Sequence, residues 1–129
     1  HTFAGNPLAA AAALASLDVF EQEQTLTNVA AQSTLLSELL TTRLAEHPLV
    51  GDIRQRGLLA AIELVADKNS KAQLDPKLST GAKVCQRARE RGVWLRPLRD
   101  TLVIMPPLSI SSEQIRQIVD AVEYGLENH

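Results

Sequence analysis

The side chain best placed for recognition chemistry is Arg96, in the run Val93-Trp94-Leu95-Arg96-Pro97-Leu98. Read as a strand, this run puts Arg96 on one face with Trp94 and Leu98, while Val93 and Leu95 point the other way. A guanidinium held between apolar neighbours can clamp a carboxylate through two parallel hydrogen bonds. The same pattern suits an arginine that pairs with an acid at the edge of the core or snorkels to water, and the run alone leaves both open. Glu63 sits in an apolar strand and is a candidate carboxylate of shifted acidity; its alternative is a residue on the solvent face of an edge strand. Thr2 places a hydroxyl close to a helix start, the right kind of donor for a phosphate, although capping and turn roles are commoner for threonine. Arg54 and Arg56 share a strand face and read as a basic stripe.

These candidates do not add up to a self-contained catalytic set. Of the lysines, Lys68, Lys71 and Lys77 fall in a polar loop and Lys83 on a helix face beside Arg87. A Schiff-base lysine needs a dry pocket that lowers its pKa, and all four are expected to be solvated. The three histidines are His1 at the start, His47 before a proline and His129 at the end, and none has metal spacing with another ligand. No P-loop, G-x-G-x-x-G or nucleophile elbow occurs. A single cysteine, Cys85, excludes an internal disulfide and a cysteine-based zinc site. The catalytic and metal assignments within this chain are therefore none.

The elements that must position Arg96 can be read from the pattern. Asn6-Pro7 is a helix start, with asparagine as N-cap and proline at N1. The run Leu8 to Phe20 is apolar nearly all the way round, which suggests a helix buried on several sides. After a break near Thr25 to Asn28, Leu26, Val29, Ser33, Leu36, Leu40 and Leu44 recur at three to four, and Pro48 forbids continuation past His47. Val50 to Val65 changes to a period of two, with Leu58, Ala60, Ile62 and Leu64 on one face and a break near Gly57. Ala66 to Leu78 is a loop. Ser79 to Arg91 is a short helix with Ala82, Cys85 and Ala88 on one side, closed by Gly92. Val93 to Leu98 and Thr101 to Met105 form a hairpin over Arg99-Asp100. Ser111 to Gln114 is a capping box, and Ile115, Ile118, Val119, Val122 and Leu126 mark the stripe of a last helix. The order α-α-β-β-α-β-β-α predicts an α+β domain, a small and mostly antiparallel sheet covered by helices. Residues 1–48 read as an N-terminal helical arm and 49–129 as the α+β unit.

Bulk properties narrow the partners. The chain has 129 residues, 45% hydrophobic and 22% charged, with 3% aromatics, so its core must be built from aliphatic side chains. A net charge of −2 gives no basic footprint for nucleic acid. Leu8 to Leu17 is too short and too weakly hydrophobic to span a membrane. With one cysteine, a reducing, cytoplasmic setting is expected. The chain opens on histidine, its only methionine is Met105, and it reads as a piece of something longer.

Four segments then carry a resemblance: HTFAGNPLA (His1 to Ala9), IRQRGLLAAIEL (Ile53 to Leu64), RGVWLRPL (Arg91 to Leu98) and LVIMPPLSI (Leu102 to Ile110). In order and spacing they resemble the C-terminal part of class III pyridoxal-phosphate (PLP) dependent aminotransferases. The resemblance implies a fold type I enzyme, a homodimer with its active site at the subunit interface, and transfer of an amino group from a donor to a keto acid by way of PLP. The combination of WLRPL with MPPLSI is most similar to the biotin-pathway branch, whose amino donor is S-adenosylmethionine; ω-amino-acid and ornithine-type branches are the nearest alternatives. By the same resemblance, Thr2 matches the threonine that binds the PLP phosphate of the neighbouring subunit, and Arg96 matches the arginine that holds the substrate carboxylate. The PLP-bearing lysine, the acid that pairs with the pyridinium nitrogen and the stacking aromatic would lie in a missing N-terminal domain. The chain alone is then expected to hold no PLP and to be inactive, and its apolar first helix is expected to drive self-association. Outside the family, a non-enzymatic α+β interaction module remains the competing reading.

Overall fold

The computed structural model describes residue 2 and residues 4–129; His1 and Phe3 of the opening segment lie outside the described residues. Helices α1 (Pro7–Gln22) and α2 (Thr25–Leu39) are followed by strands β1 (Val50–Arg56) and β2 (Leu59–Leu64). Helix α3 (Thr80–Glu90), strands β3 (Arg96–Leu98) and β4 (Thr101–Ile104), and helix α4 (Ser112–Glu127) complete the chain. The strands form one antiparallel sheet in the order β1-β2-β4-β3.

Local chemistry accounts for the boundaries. Asn6 Oδ1 accepts from the amides of Leu8 and Ala9, at 2.9 and 3.2 Å, and Pro7 opens α1. Gln24, in a left-handed conformation, separates α1 from α2. Past Leu39 the second helix widens into a π-type turn over Leu40–Leu44 and ends there with Ala45 as its C-cap, short of the His47 that Pro48 suggests. In α4, Ser111 Oγ accepts from the Gln114 amide while Gln114 Oε1 accepts from the Ser111 amide, the reciprocal pair expected of a capping box. Gly57, at φ +58, turns the first hairpin. The second hairpin turns through Arg99 at φ +54, a conformation that favours glycine.

Period-2 alternation then decides what is buried. Ala60, Ile62 and Leu64 of β2, with Leu102 and Ile104 of β4, face the helices and are buried. Against them pack Leu36, Leu40 and Leu44 from the second helix, Val84, Cys85 and Ala88 from α3, and Ile115, Val119, Val122 and Leu126 from α4. Part of the 1–48 stretch is thus built into the same core as residues 49–129. Helix α4 lies against both α2 and α3. Its approach to α3 is close: a Cβ on Gly125 would stand 2.6 Å from the Val84 carbonyl oxygen.

Helix α1 has no buried residue; Leu8 is 80% exposed, and the helix packs only against a neighbouring helix, α2, among its principal contacts, so its all-round apolar surface lacks the surroundings it calls for. The structure corrects three expectations. Leu26 is exposed because it belongs to the first turn of α2, outside the reach of the sheet. On α3 the inward face is Gly81, Val84, Cys85 and Ala88, and Ala82 points outward. Strand β2 is interior, flanked by β1 and β4, so Glu63 does not lie on an edge strand.

Two measurements check this packing. Gly125→Ala should destabilise the fold by about 1–3 kcal/mol, because the added methyl would press first on the Val84 backbone carbonyl, which cannot turn aside; urea unfolding reads the loss. His47 has its pKa lowered from the ordinary 6.5, first by burial and then by the nearby His129, and its Nδ1 accepts from the Leu49 amide. The unfolded chain therefore takes up this proton before the folded one does. Stability should fall as pH drops below about 6.5, and His47→Gln should flatten that dependence in thermal melts at pH 5 to 7.

Candidate functional site

The sheet covers its inner face with helices and leaves the outer face open. Cross-strand register assigns the outer rows: Arg54, Ala61, Val103 and Arg96 stand side by side across the sheet, and Asp52, Glu63, Thr101 and Leu98 form the next row. Trp94 precedes Arg96 by two residues and shares its orientation, while Val93 and Leu95 are buried on the other side. The alternation expected around Arg96 is thus present, although the regular strand begins only at Arg96 itself.

The two arginines of one row meet different surroundings. Arg54 Nη1 donates to Glu63 Oε2 at 3.0 Å and to Asp52 Oδ2 at 3.3 Å, so the acids of the open face are already engaged. Arg96 is exposed and has no ion-pair partner among the described residues. It is the sole charged residue lining a groove of about 430 Å³, whose walls include Trp94, Leu98, Val103, Met105 and Ile118. Trp94 and Met105 are each 76% exposed. The indole is steadied by Arg89 of α3, whose guanidinium carbon lies 3.8 Å from the ring centroid. A cation in an apolar groove that water can leave is an anion receptor waiting for a counter-charge, since a charge-assisted bond strengthens as the surroundings dry.

Thr2 lies in an exposed turn ahead of α1 and lines no part of that groove, so the chain does not bring Thr2 and Arg96 together. Asn6 Oδ1 already accepts from the Leu8 and Ala9 amides, and the Thr2 side chain stands exposed ahead of them. Of the four lysines expected to be solvated, Lys71, Lys77 and Lys83 are exposed and Lys68 is half-buried. Lys68 Nζ donates to the Ala45 carbonyl and lies near Glu46, and Lys71 Nζ donates to the Gly51 carbonyl. Both thus tie the loop after β2 back to the start of β1 and the end of the second helix. Among the described residues no cluster of histidine, cysteine and carboxylates could hold a metal, and no helix is long and apolar enough to cross a membrane.

Sequence reasoning missed two contributors. Arg89 contacts Trp94 across the end of α3, and the stripe of a helix does not announce what lies beyond its last turn. Asp100 Oδ1 accepts from the Gly81 amide at 2.9 Å, a cap supplied from a distant turn rather than by a neighbour in the chain.

With that geometry in hand, the class of protein is plain: the chain belongs to the class-III aminotransferase family, which matches it over residues 1–126. An adenosylmethionine-8-amino-7-oxononanoate aminotransferase from Geobacter sulfurreducens is 48% identical over 126 residues, covering 98% of this chain and 28% of that protein. The crystal structure of the enzyme of the same name from Methanocaldococcus jannaschii superposes with a TM-score of 0.89 at 35% identity, over 98% of this chain and 29% of that one. An amine transaminase from an uncultivated Pseudomonas species, solved in a PLP-bound form, reaches the same TM-score at 34% identity over 98% of this chain and 29% of its own. The chain thus spans less than a third of the length of the relatives it matches.

Cys85 marks the inert side of the molecule. Burial pushes its thiol up to about 11, with Arg89 pulling weakly the other way. The folded chain at pH 8 should resist alkylation by iodoacetamide, and modification should appear only when denaturant opens the core; mass spectrometry distinguishes the two.

Proposed function

We propose that this chain serves a PLP-dependent transaminase that moves an amino group from S-adenosylmethionine to 8-amino-7-oxononanoate in biotin biosynthesis, and that it supplies that enzyme's carboxylate grip. In this reading the enzyme is a cytoplasmic homodimer, and the chain is completed by an N-terminal domain and by a second subunit. The observation that carries the reading is Arg96, an exposed guanidinium without a described acid partner, in a groove otherwise lined by uncharged residues. The likeness to the Geobacter relative supports the substrate pair.

PLP, when bound, supplies the electron sink and the temporary carrier of the amino group. This chain's residues fit only the phosphate end of that cofactor. The Thr2 hydroxyl, on an exposed residue ahead of α1, would donate to a phosphate oxygen. None of the lysines offers a desolvated amine, because Lys71, Lys77 and Lys83 are exposed and Lys68 is tied to the Ala45 carbonyl. Thr2 and Arg96 are accordingly assigned to the sites of different subunits. Arg96 binds and orients the acceptor's carboxylate. Trp94, Leu98 and Met105 exclude water from that ion pair and lie against the methylene chain.

A second reading within the family is an acceptor other than 8-amino-7-oxononanoate, which the likeness to an amine transaminase favours. Assays of the full-length enzyme with both acceptor types separate the two. In that enzyme, Arg96→Ala should lower kcat/KM for 8-amino-7-oxononanoate roughly 10- to 100-fold, the worth of a hydrogen-bonded charge pair. Loss of that size with 8-amino-7-oxononanoate, and none with a neutral ketone acceptor, is the expected pattern. The isolated 129-residue chain, mixed with PLP and dialysed, should retain no stoichiometric visible absorbance; retention would show an amine anchor in this chain and overturn the assignment.

A further inference from the structure

We propose that Asp100 is a positioning residue for Arg96, acting through the turn that joins β3 to β4; the inference rests on the carboxylate role proposed for Arg96. Strand β3 is only Arg96–Leu98, it lies at the sheet edge, and its middle residue is Pro97, which has no amide hydrogen to give. Its ladder to β4 pairs Arg96 with Val103, Pro97 with Leu102 and Leu98 with Thr101. So short a ladder fixes the strand loosely, and the place of Arg96 depends on how the adjoining turn is held.

That turn is held from two sides. The Asp100 carbonyl accepts from the Leu64 amide at 2.8 Å, which fastens it to the interior strand β2. The Asp100 carboxylate accepts from the Gly81 amide at 2.9 Å, which fastens it to the first turn of α3. Helix α3 needs this partner, because Ser79, the residue at its N-cap position, is left-handed and makes no side-chain cap. The approach is close enough that a Cβ on Gly81 would stand 2.4 Å from the Arg99 carbonyl oxygen. Arg99 is itself held at φ +54, a conformation that persists in a non-glycine residue only where its surroundings impose it. Asp100 therefore links a helix start, an interior strand and an edge strand. The edge strand carries the guanidinium that the proposed function uses.

The test compares kcat/KM for 8-amino-7-oxononanoate with kcat/KM for its neutral carboxamide analogue, in the full-length enzyme. A merely structural defect lowers both values alike and leaves their ratio unmoved; a displaced Arg96 lowers the ratio. Asp100→Ala should lower it roughly tenfold, in keeping with the sensitivity of bound-state geometry to small misplacements. Asp100→Asn, which keeps an oxygen for the Gly81 amide, should restore most of it. Arg99→Gly, which removes the need for an imposed left-handed residue and so loosens the turn, should lower it about threefold on the same geometric ground. Should Asp100→Ala give no folded enzyme, Arg99→Gly decides alone. An unchanged ratio in the folded variants overturns the inference. An unchanged ratio in Arg96→Ala overturns the carboxylate reading on which it rests, so the two failures are told apart.

Discussion

A sheet that buries one face commits every second residue to the other, and here that commitment decides where the chemistry can be. Ala60, Ile62, Leu64, Leu102 and Ile104 must face the helices, since these positions carry the aliphatic bulk from which a core poor in aromatics is made. A slip of one residue in any strand would turn that set to solvent and drive charge inward. With register so constrained, Arg54, Glu63, Thr101, Val103, Arg96 and Leu98 have no choice but the outer face. The side of the sheet that Arg96 takes is thus a by-product of core packing, and its exposure follows from the same burial that stabilises the domain.

Two arginines share one row of that face, and their neighbours separate their roles. Arg54 sits across from Ala61 with Glu63 and Asp52 in the adjoining row, and its charge is spent on them. Such solvent-exposed pairs contribute little to stability, but they remove competing acids from the open face. Arg96 sits next to Trp94, Leu98 and Val103, none of which can neutralise it. A guanidinium in that setting gains most when a carboxylate arrives together with an apolar surface that expels water.

Much of the architecture was legible because it rests on short-range rules. The asparagine cap of α1, the capping box of α4, the stripe of Ile115, Val119, Val122 and Leu126, and the sidedness of Arg96 each follow from residues within a few positions of one another. What escaped depends on spatial order. Glu63 reads as an edge residue until the sheet order places β2 between β1 and β4. Ala82 reads as inward because alanine is apolar, but the glycine at 81 is the one the hairpin requires close by. The contacts of the loop lysines escaped as well, since Lys68 and Lys71 reach backbone carbonyls that only the folded loop brings near. The cap of α3 by Asp100 spans 19 positions, and no local pattern predicts it.

Helix α1 poses the remaining question of stability. Its Asn6 cap and its alanines favour a helix locally, yet helices of this length draw most of their stability in water from packing an apolar face. Leu8, Leu14, Leu17 and Val19 all stand largely exposed, and they do not lie on a single side. A helix so composed matches surroundings on several sides at once, and one neighbouring helix cannot provide them. The open sheet face has the same character, with Trp94, Leu98 and Met105 bare beside Arg96. Two separate apolar surfaces, one of them ringing the proposed carboxylate grip, are what a domain would present if its binding groove were completed by protein outside these 129 residues. That is the arrangement the proposed function requires. A carboxylate grip of this kind reaches full strength only when further walls close over it and exclude water.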